Sequence, residues 1–242
     1  MSETIASDSS TPAPVLVVGS VAFDNVITPF GEQERILGGA ASYCSFASSY
    51  FAKTKMVGVV GNDFGEEHMN RLRSRDIDLE GLQRDESGPT FFWKGKYHEN
   101  FNRRDTLDLQ LNVFESFRPD LPQSYRTSDY VLLGNIHPAL QSHVLDQLDG
   151  SAYVLADTID LWIKTERETL LNLAKRVNLF VINDSEAEDL TGEKNVILAG
   201  QKLLELGPET VIIKKGEHGA VLFHEEGLFA LPAYPVTNLR DP

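Results

Sequence analysis

A single cysteine, Cys44, stands among the 242 residues. One thiol can close no internal disulfide and build no zinc cluster, and it fits a reducing, cytoplasmic setting. Basic residues are also scarce. There are 22 Lys and Arg against 36 Asp and Glu, a formal net charge of −14. So acidic a chain is a poor partner for nucleic acid or an anionic membrane. Any anion it handles must be met locally, by backbone amides, a few cations or a metal. No apolar run approaches the roughly 20 residues that cross a bilayer. Residues 1–14 have neither the basic nor the apolar region of a signal peptide; rich in Ser, Thr, Ala and Pro, they read as a disordered tail. Several common signatures are missing too. There is no Walker A motif, Gly19-Ser-Val-Ala-Phe23 is not the G-x-G-x-x-G of a dinucleotide site, and no G-x-S-x-G elbow occurs. The six histidines show no H-E-x-x-H spacing. His137, before Pro138, reads as structural; His68, His98 and His218 read as surface residues.

What is present is an ordinary globular composition, 41% hydrophobic and 24% charged. Short aliphatic runs recur at Val15–Val18, Met56–Val60, Tyr130–Leu133, Tyr153–Ala156, Leu179–Ile182 and Val211–Ile213. They are continuous rather than alternating, the pattern of parallel strands covered on both faces. Segments of helical spacing lie between them: Ala40 to Phe51, Glu66 to Arg75, Ala139 to Leu148, Thr165 to Ala174 and Val196 to Leu206. The first sets Tyr43, Phe46, Ala47 and Tyr50 on one side. This alternation predicts an α/β fold, a doubly wound and mostly parallel sheet flanked by helices, over residues 15–242. Two stretches break it, Val26 to Leu37 and Thr90 to Thr106, the second carrying Phe91-Phe-Trp-Lys-Gly-Lys-Tyr97. They read together as a small β lid beside the sheet. Ala220–Phe223 and Leu228–Leu231 read as a hairpin. There is no internal repeat and no inter-domain linker.

Ligands of open parallel sheets bind at the carboxyl ends of the strands. The six strands are followed there by Gly19-Ser20 with Asp24-Asn25 close behind, Gly61-Asn-Asp63-Phe-Gly65, Gly134-Asn135, Asp157-Thr158, Asn183-Asp-Ser-Glu186, and Lys214-Lys-Gly216-Glu-His-Gly219. Each alone is ordinary turn chemistry. Together they describe a wide polar cleft and make Asn135 a candidate substrate contact. Asn183-x-x-Glu186 reads first as a capping box opening a helix at Ser185–Leu190. The same arrangement can organise Mg2+ and water around a phosphate. Gly38-Gly39 lets backbone approach a small polar ligand or simply loosens the entry to a helix. Gly216 to Gly219 is either a turn between strands or a phosphate-facing loop with Lys214 or Lys215 beside it; strand alternation points only one of these lysines to a given face.

Quoted in order, Val18-Gly-Ser-x-x-x-Asp24, Leu37-Gly-Gly39, Val57-Gly-x-Val-Gly-x-Asp63-Phe-Gly65, Asn183-x-x-Glu186 and the Lys-Gly-x-x-Gly loop at Gly216 resemble the ribokinase-like, or PfkB, family of sugar and nucleoside kinases. The resemblance runs from Val15 to Pro242. It implies ATP-dependent phosphorylation of a hydroxyl on a small sugar or nucleoside, with ATP, Mg2+ and in some relatives K+. By the same resemblance Asp24 binds substrate hydroxyls, and Gly38 and Gly39 lie against the sugar. Asn183 and Glu186 organise Mg2+ and phosphates, Glu186 indirectly. Lys214, Gly216 and Gly219 begin the nucleotide loop, Asp241 helps hold a monovalent cation, and the lid could carry a homodimer contact. Two departures stand out. Tyr43 occupies the place of the family's Asn in G-G-x-x-x-N. The family's Gly-Ala-Gly-Asp motif, which supplies the anion hole and the general base, would follow Asp241-Pro242. The resemblance therefore implies a chain truncated before its catalytic base and inactive alone. A non-catalytic sugar- or nucleoside-binding protein on the same scaffold is the competing expectation.

Overall fold

The computed structural model describes residues 12–99 and 104–236; Asp241 and residues 1–11 of the expected tail lie outside them. The chain opens with β1 (Val15–Val18), β2 (Ala22–Thr28), β3 (Gly31–Gly38), α1 (Ala40–Ser48), β4 (Thr54–Val60), α2 (Glu66–Arg73), β5 (Asp78–Arg84), β6 (Phe91–Tyr97) and β7 (Arg104–Gln110). It continues through β8 (Tyr130–Leu133), α3 (Pro138–Leu145), β9 (Tyr153–Asp157), α4 (Asp160–Thr165), α5 (Arg167–Ala174), β10 (Leu179–Asn183) and α6 (Asp184–Thr191). It closes with α7 (Val196–Leu204), β11 (Thr210–Lys214), β12 (Ala220–His224) and β13 (Gly227–Leu231). The main sheet has the order β13-β12-β11-β10-β9-β8-β1-β4-β5. It is parallel from β5 to β11, and only β12 and β13 run antiparallel. A second sheet of four strands, β3-β2-β6-β7, gathers both segments that interrupt the strand–helix alternation. It starts earlier than its sequence suggests, at Ala22, because β2 pairs with β6 from Ala22–Phe91 onward.

The central strands carry no polar alternation because both their faces are buried. In β1, Leu16 and Val18 enter one core with Val131, Leu133, Phe180 and Ile182. Val17 between them enters a second core with Met56, Phe23, Phe64, Ala41 and Leu72. Farther out the two-sided expectation fails. Val154, Phe180, Val211 and Val221 are buried, whereas Leu155, Val181, Ile212 and Leu222 stay half-exposed and belong to neither core. These four lie on the face that also carries Asp157, two residues beyond Leu155 on β9.

Three further differences have local causes. β5 is polar, Asp78-Leu-Glu-Gly-Leu-Gln-Arg84, because it is an edge strand that buries only Gly81, so no aliphatic run announces it. The helix expected at Thr165 to Ala174 is α5, starting at Arg167, and a separate short helix, α4, precedes it; the two are parted at Glu166, whose backbone leaves the helical region (φ −131°, ψ 32°). α1 ends at Ser48 and buries its small face, Ala41, Ser42 and Ser45, so Tyr43 and Tyr50 point outward, 48% and 71% exposed. Small residues there let α1 lie close against β1 and β4.

The sheet edge beside the cleft is pinned by one buried side chain. Gln141 on α3 is 1% exposed, and its Nε2 donates to the carbonyls of Leu133 (3.3 Å), Gly134 (3.0 Å) and Asp157 (3.0 Å), tying the ends of β8 and β9 together. Gln141→Leu would keep the volume and strip these carbonyls of their donor. We expect a loss of about 3 kcal/mol, since each buried polar group left unpaired costs about 1–3 kcal/mol. It would be read as a lower urea midpoint at unchanged slope; a wild-type midpoint would show that the carbonyls find other partners.

Candidate active site

The cleft is built where β1 ends and α1 begins. Ser20, just past β1, caps α1 from outside the helix: its Oγ accepts from Ala40 N–H (3.1 Å) and its carbonyl accepts from Ala41 N–H (2.9 Å). Gly39, the residue before α1, has φ +90°, and a Cβ there would run into the Ser20 carbonyl, so only glycine fits. Gly38 is held by contact. A Cβ on it would overlap the Asp24 carboxylate, which therefore lies directly on the Gly38 backbone. The register explains this: Ala22 pairs with Gly38 and Asp24 with Ile36, so Asp24 and Gly38 share one face of the second sheet. Tyr43 follows on α1, about half exposed. Thus Asp24 on β2 lies against Gly38 on β3, with Gly39 next to them at the mouth of α1. Asn135, next to Gly134, adjoins it, because Gly134 abuts Ala40: a Cβ on Gly134 would lie 2.9 Å from the Ala40 side chain. The Asn135 Oδ1 accepts the Trp162 indole N–H at 2.8 Å.

The other end of the cleft holds the charged residues. Asn183 and Glu186 form a complete capping box: Asn183 Oδ1 accepts from Glu186 N–H (2.8 Å), and Glu186 Oε2 accepts from Asn183 N–H (2.9 Å). The capping reading of this motif is thus correct as local structure. The box leaves Glu186 Oε1 without a hydrogen bond to any described residue, in a side chain only 7% exposed. Burial raises the Glu186 carboxyl above the ordinary carboxylate range; the Asn183 amide and the Lys214 ammonium oppose the rise, while Asp157 and Asp160 add to it. Lys214 Nζ lies 3.2 Å from Asp157 Oδ1. Since Asn183 pairs with Lys214 on β11 and Val181 with Asp157 on β9, this ion pair bridges across the end of β10. Of the two lysines at the end of β11, Lys214 is therefore the one on the site's face.

Gly216 and Gly219 form a turn with φ +54° and +85°. The amides of His218 and Gly219 are spent inside it, on Lys215 O and Gly216 O, so the bland reading of this loop as a turn between strands holds for its backbone. Cys44, one residue past Tyr43 on α1, feels the charges of Asp157 and Lys214. Burial chiefly, then Asp157, push its thiol up to about 11, so at neutral pH it is an inert SH group. Among the described residues no cluster of three or more His, Cys, Asp or Glu is placed to hold a metal by itself. A lone buried carboxylate with one open oxygen suits Mg2+, which keeps several waters and takes phosphate oxygens as further ligands.

Several residues escape a reading by motif alone. Ser20 and Asp157 are in the strand-end inventory, but nothing in the sequence says that one caps α1 and the other holds Lys214. Asp63 serves as a clasp. Its Oδ1 accepts from the Thr90 amide and hydroxyl, both at 2.7 Å, and its Oδ2 from Arg35 at 3.2 Å, so it ties β3 and the start of β6 to the loop after β4. Burial alone would raise the Asp63 carboxyl; the Thr90 amide and hydroxyl and then Arg35 outweigh it and hold the group below the ordinary range. A carboxyl lowered in the folded state stabilises above its unfolded value, about 3.9, and loses that contribution as pH falls through the folded one. Asp63→Asn should therefore cost about 1 kcal/mol at neutral pH, allowing for the exposure of Arg35. The difference from wild type should shrink below about pH 4. Urea midpoints that differ equally at both pH values would show that the charge has no part in the clasp.

The profile described as "pfkB family carbohydrate kinase" matches residues 13–242. A cytidine kinase of Thermococcus kodakarensis is 28% identical over 238 residues, covering 94% of this chain and 82% of that protein. Among solved structures, a protein from E. coli described as a ribokinase II, in complex with ATP and Mg2+, superposes with a TM-score of 0.78 at 16% identity, over 94% of this chain and 80% of that one. A Burkholderia thailandensis nucleoside kinase in complex with inosine gives a TM-score of 0.74 at 18% identity, over 94% and 78%. The two structures show the fold, a mostly parallel sheet flanked by helices. With the profile spanning nearly its whole length, the chain belongs to the pfkB family of carbohydrate kinases.

Proposed function

We propose that this protein's site serves ATP-dependent transfer of a phosphoryl group to a hydroxyl of a nucleoside, with a simple sugar as the less favoured acceptor. The observation that carries it is the pairing of two chemistries in one cleft. Asp24 lies on the Gly38 backbone at one end, and Lys214, Asn183 and Glu186 gather at the other. The cytidine kinase relative favours a nucleoside.

The roles follow from donor and acceptor chemistry. Asp24 accepts from substrate hydroxyls, and the bare backbone of Gly38 and Gly39 lets a sugar ring approach closely. Glu186, fixed by its capping bond, orients water through its open oxygen. Lys214 exchanges Asp157 for phosphate oxygens and brings the one cation of this ion pair to an otherwise acidic cleft. Mg2+-ATP, when bound, supplies the phosphoryl group and neutralises its charge. The 242 residues contain no Gly-Ala-Gly-Asp sequence. Transfer needs charge stabilisation and a base beyond the residues named here, and losing one preorganised donor alone costs on the order of 3 kcal/mol. The second reading is a protein that binds nucleoside or sugar through the Asp24–Gly38 end without phosphorylating it.

Calorimetry with cytidine and inosine, and separately with Mg2+-ATP, tests the division of labour. Asp24→Ala should weaken nucleoside binding about 100-fold, as expected when charge-assisted hydrogen bonds are lost, and leave ATP binding unchanged. Lys214→Met should weaken ATP about tenfold and spare the nucleoside. Variants that shift both ligands equally would count against two ends. The 242-residue chain incubated with Mg2+-ATP and cytidine should release no ADP and form no phosphorylated nucleoside. Turnover by it would show that the base lies within these residues. Nucleoside binding with no ATP binding would favour the non-catalytic reading.

A further inference from the structure

Asn135 is not free to turn its carboxamide either way. Its partner, the Trp162 indole, has a single N–H and no acceptor, so Asn135 must offer Oδ1 to it. That bond of 2.8 Å assigns oxygen and nitrogen by chemistry. The Asn135 Nδ2, with both its protons, makes no hydrogen bond to any described residue. It sits beside Gly134, hence beside the Gly38-Gly39-Ala40 entry to α1.

The orientation is supported from behind. The Trp162 ring lies 5.0 Å from the His137 ring. His137 is itself oriented: its Nδ1 accepts from the Ala139 amide at 3.1 Å, and its Nε2 faces Glu166 Oε1 at 3.5 Å. Gln141 pins the carbonyl of Gly134, the residue before Asn135. α4 carries Trp162, α3 carries Gln141, and His137 stands at the mouth of α3, so elements around the strand end fix one amide group.

We propose that Trp162 is a positioning residue. It holds the Asn135 carboxamide with its N–H2 group toward the substrate, so this subsite takes a hydrogen-bond acceptor and not a donor. The proposal rests on the nucleoside reading above and adds a polarity to it. Asp24 can only accept. A substrate hydroxyl that donates its one proton to Asp24 has only lone pairs left to offer a second group. Asn135, turned by Trp162, supplies the matching donor. An acceptor on β2 and a donor just past β8, each next to the Gly38-Gly39-Ala40 backbone, select a hydroxylated ring held in one orientation.

The test uses the whole chain labelled with 15N. Its two tryptophans, Trp93 and Trp162, give two indole signals, so Trp162 is assigned by Trp162→Phe. Asn135→Ala should move only that signal, and Asn135→Asp should move it in the direction of a stronger hydrogen bond, because the carboxylate is the better acceptor. Cytidine and inosine affinities are then measured for wild type, Asn135→Ala, Asn135→Asp, Trp162→Phe and the Trp162→Phe/Asn135→Ala pair. Asn135→Asp preserves the bond to Trp162 but turns an oxygen to the substrate. It should weaken nucleoside binding about tenfold or more, although the indole bond is strengthened. Trp162→Phe should weaken binding about tenfold in the wild-type background and have no further effect in Asn135→Ala. Wild-type affinity in Asn135→Asp, or an equal Trp162→Phe effect with and without Asn135, overturns the proposal and reduces Trp162 to packing. Absence of any nucleoside binding by the folded wild type overturns the nucleoside reading itself, a result distinct from either.

Discussion

The site depends on how closely the end of β1 meets the start of α1. Ser20 supplies both the side-chain and the backbone acceptor for the first amides of α1, and Gly39 gives way to its carbonyl. A helix entry without its own capping side chain is thus held by the strand that precedes it in space. With α1 fixed there, Gly38 lies under Asp24 and Gly134 lies against Ala40. Loosening that junction would disturb Gly38, Ala40 and Gly134 together.

An acidic protein that handles an anion must ration its cations. Two cations near the strand ends are kept by carboxylates: Lys214 by Asp157, and Arg35 by Asp63. The two pairs differ in use. Arg35 is one of three groups on Asp63, beside the Thr90 amide and hydroxyl, and it also lies over the Phe23 ring at 4.3 Å. Breaking it would open the clasp between the small sheet and the main one. Lys214 has one carboxylate partner and is about half exposed, so its pairing can be exchanged at little cost. The first pair sits within a wider clasp, and the second stands on a single carboxylate.

The motifs with short spacing were legible before any coordinates. Asn183 and Glu186 lie within one helical turn, so their reciprocal bonds follow from local geometry. Gly38-Gly39 before a helix and the glycines of the β11–β12 turn are likewise local signals. The residues that escaped are joined across long sequence distances. Trp162 is 27 positions from Asn135, Lys214 is 57 from Asp157, and Thr90 is 27 from Asp63. Each of these residue types is common in loops, and no spacing rule links them.

Aliphatic runs and their polar successors determined by themselves that a parallel sheet exists and that its carboxyl edge is polar, because a strand buried on two faces must be apolar and a strand end must turn. Sequence also set the small side chains that let α1 lie close to β1 and β4. Only the tertiary structure decided which face of α1 is inside, that β5 is a polar edge strand, and that the outer strands keep one face half-exposed. It alone decided that the oxygen end of the Asn135 carboxamide meets the Trp162 indole. Those outcomes depend on what packs against each element. A residue's neighbours across a sheet or helix are chosen by chain topology, and the next residue in sequence says nothing of them.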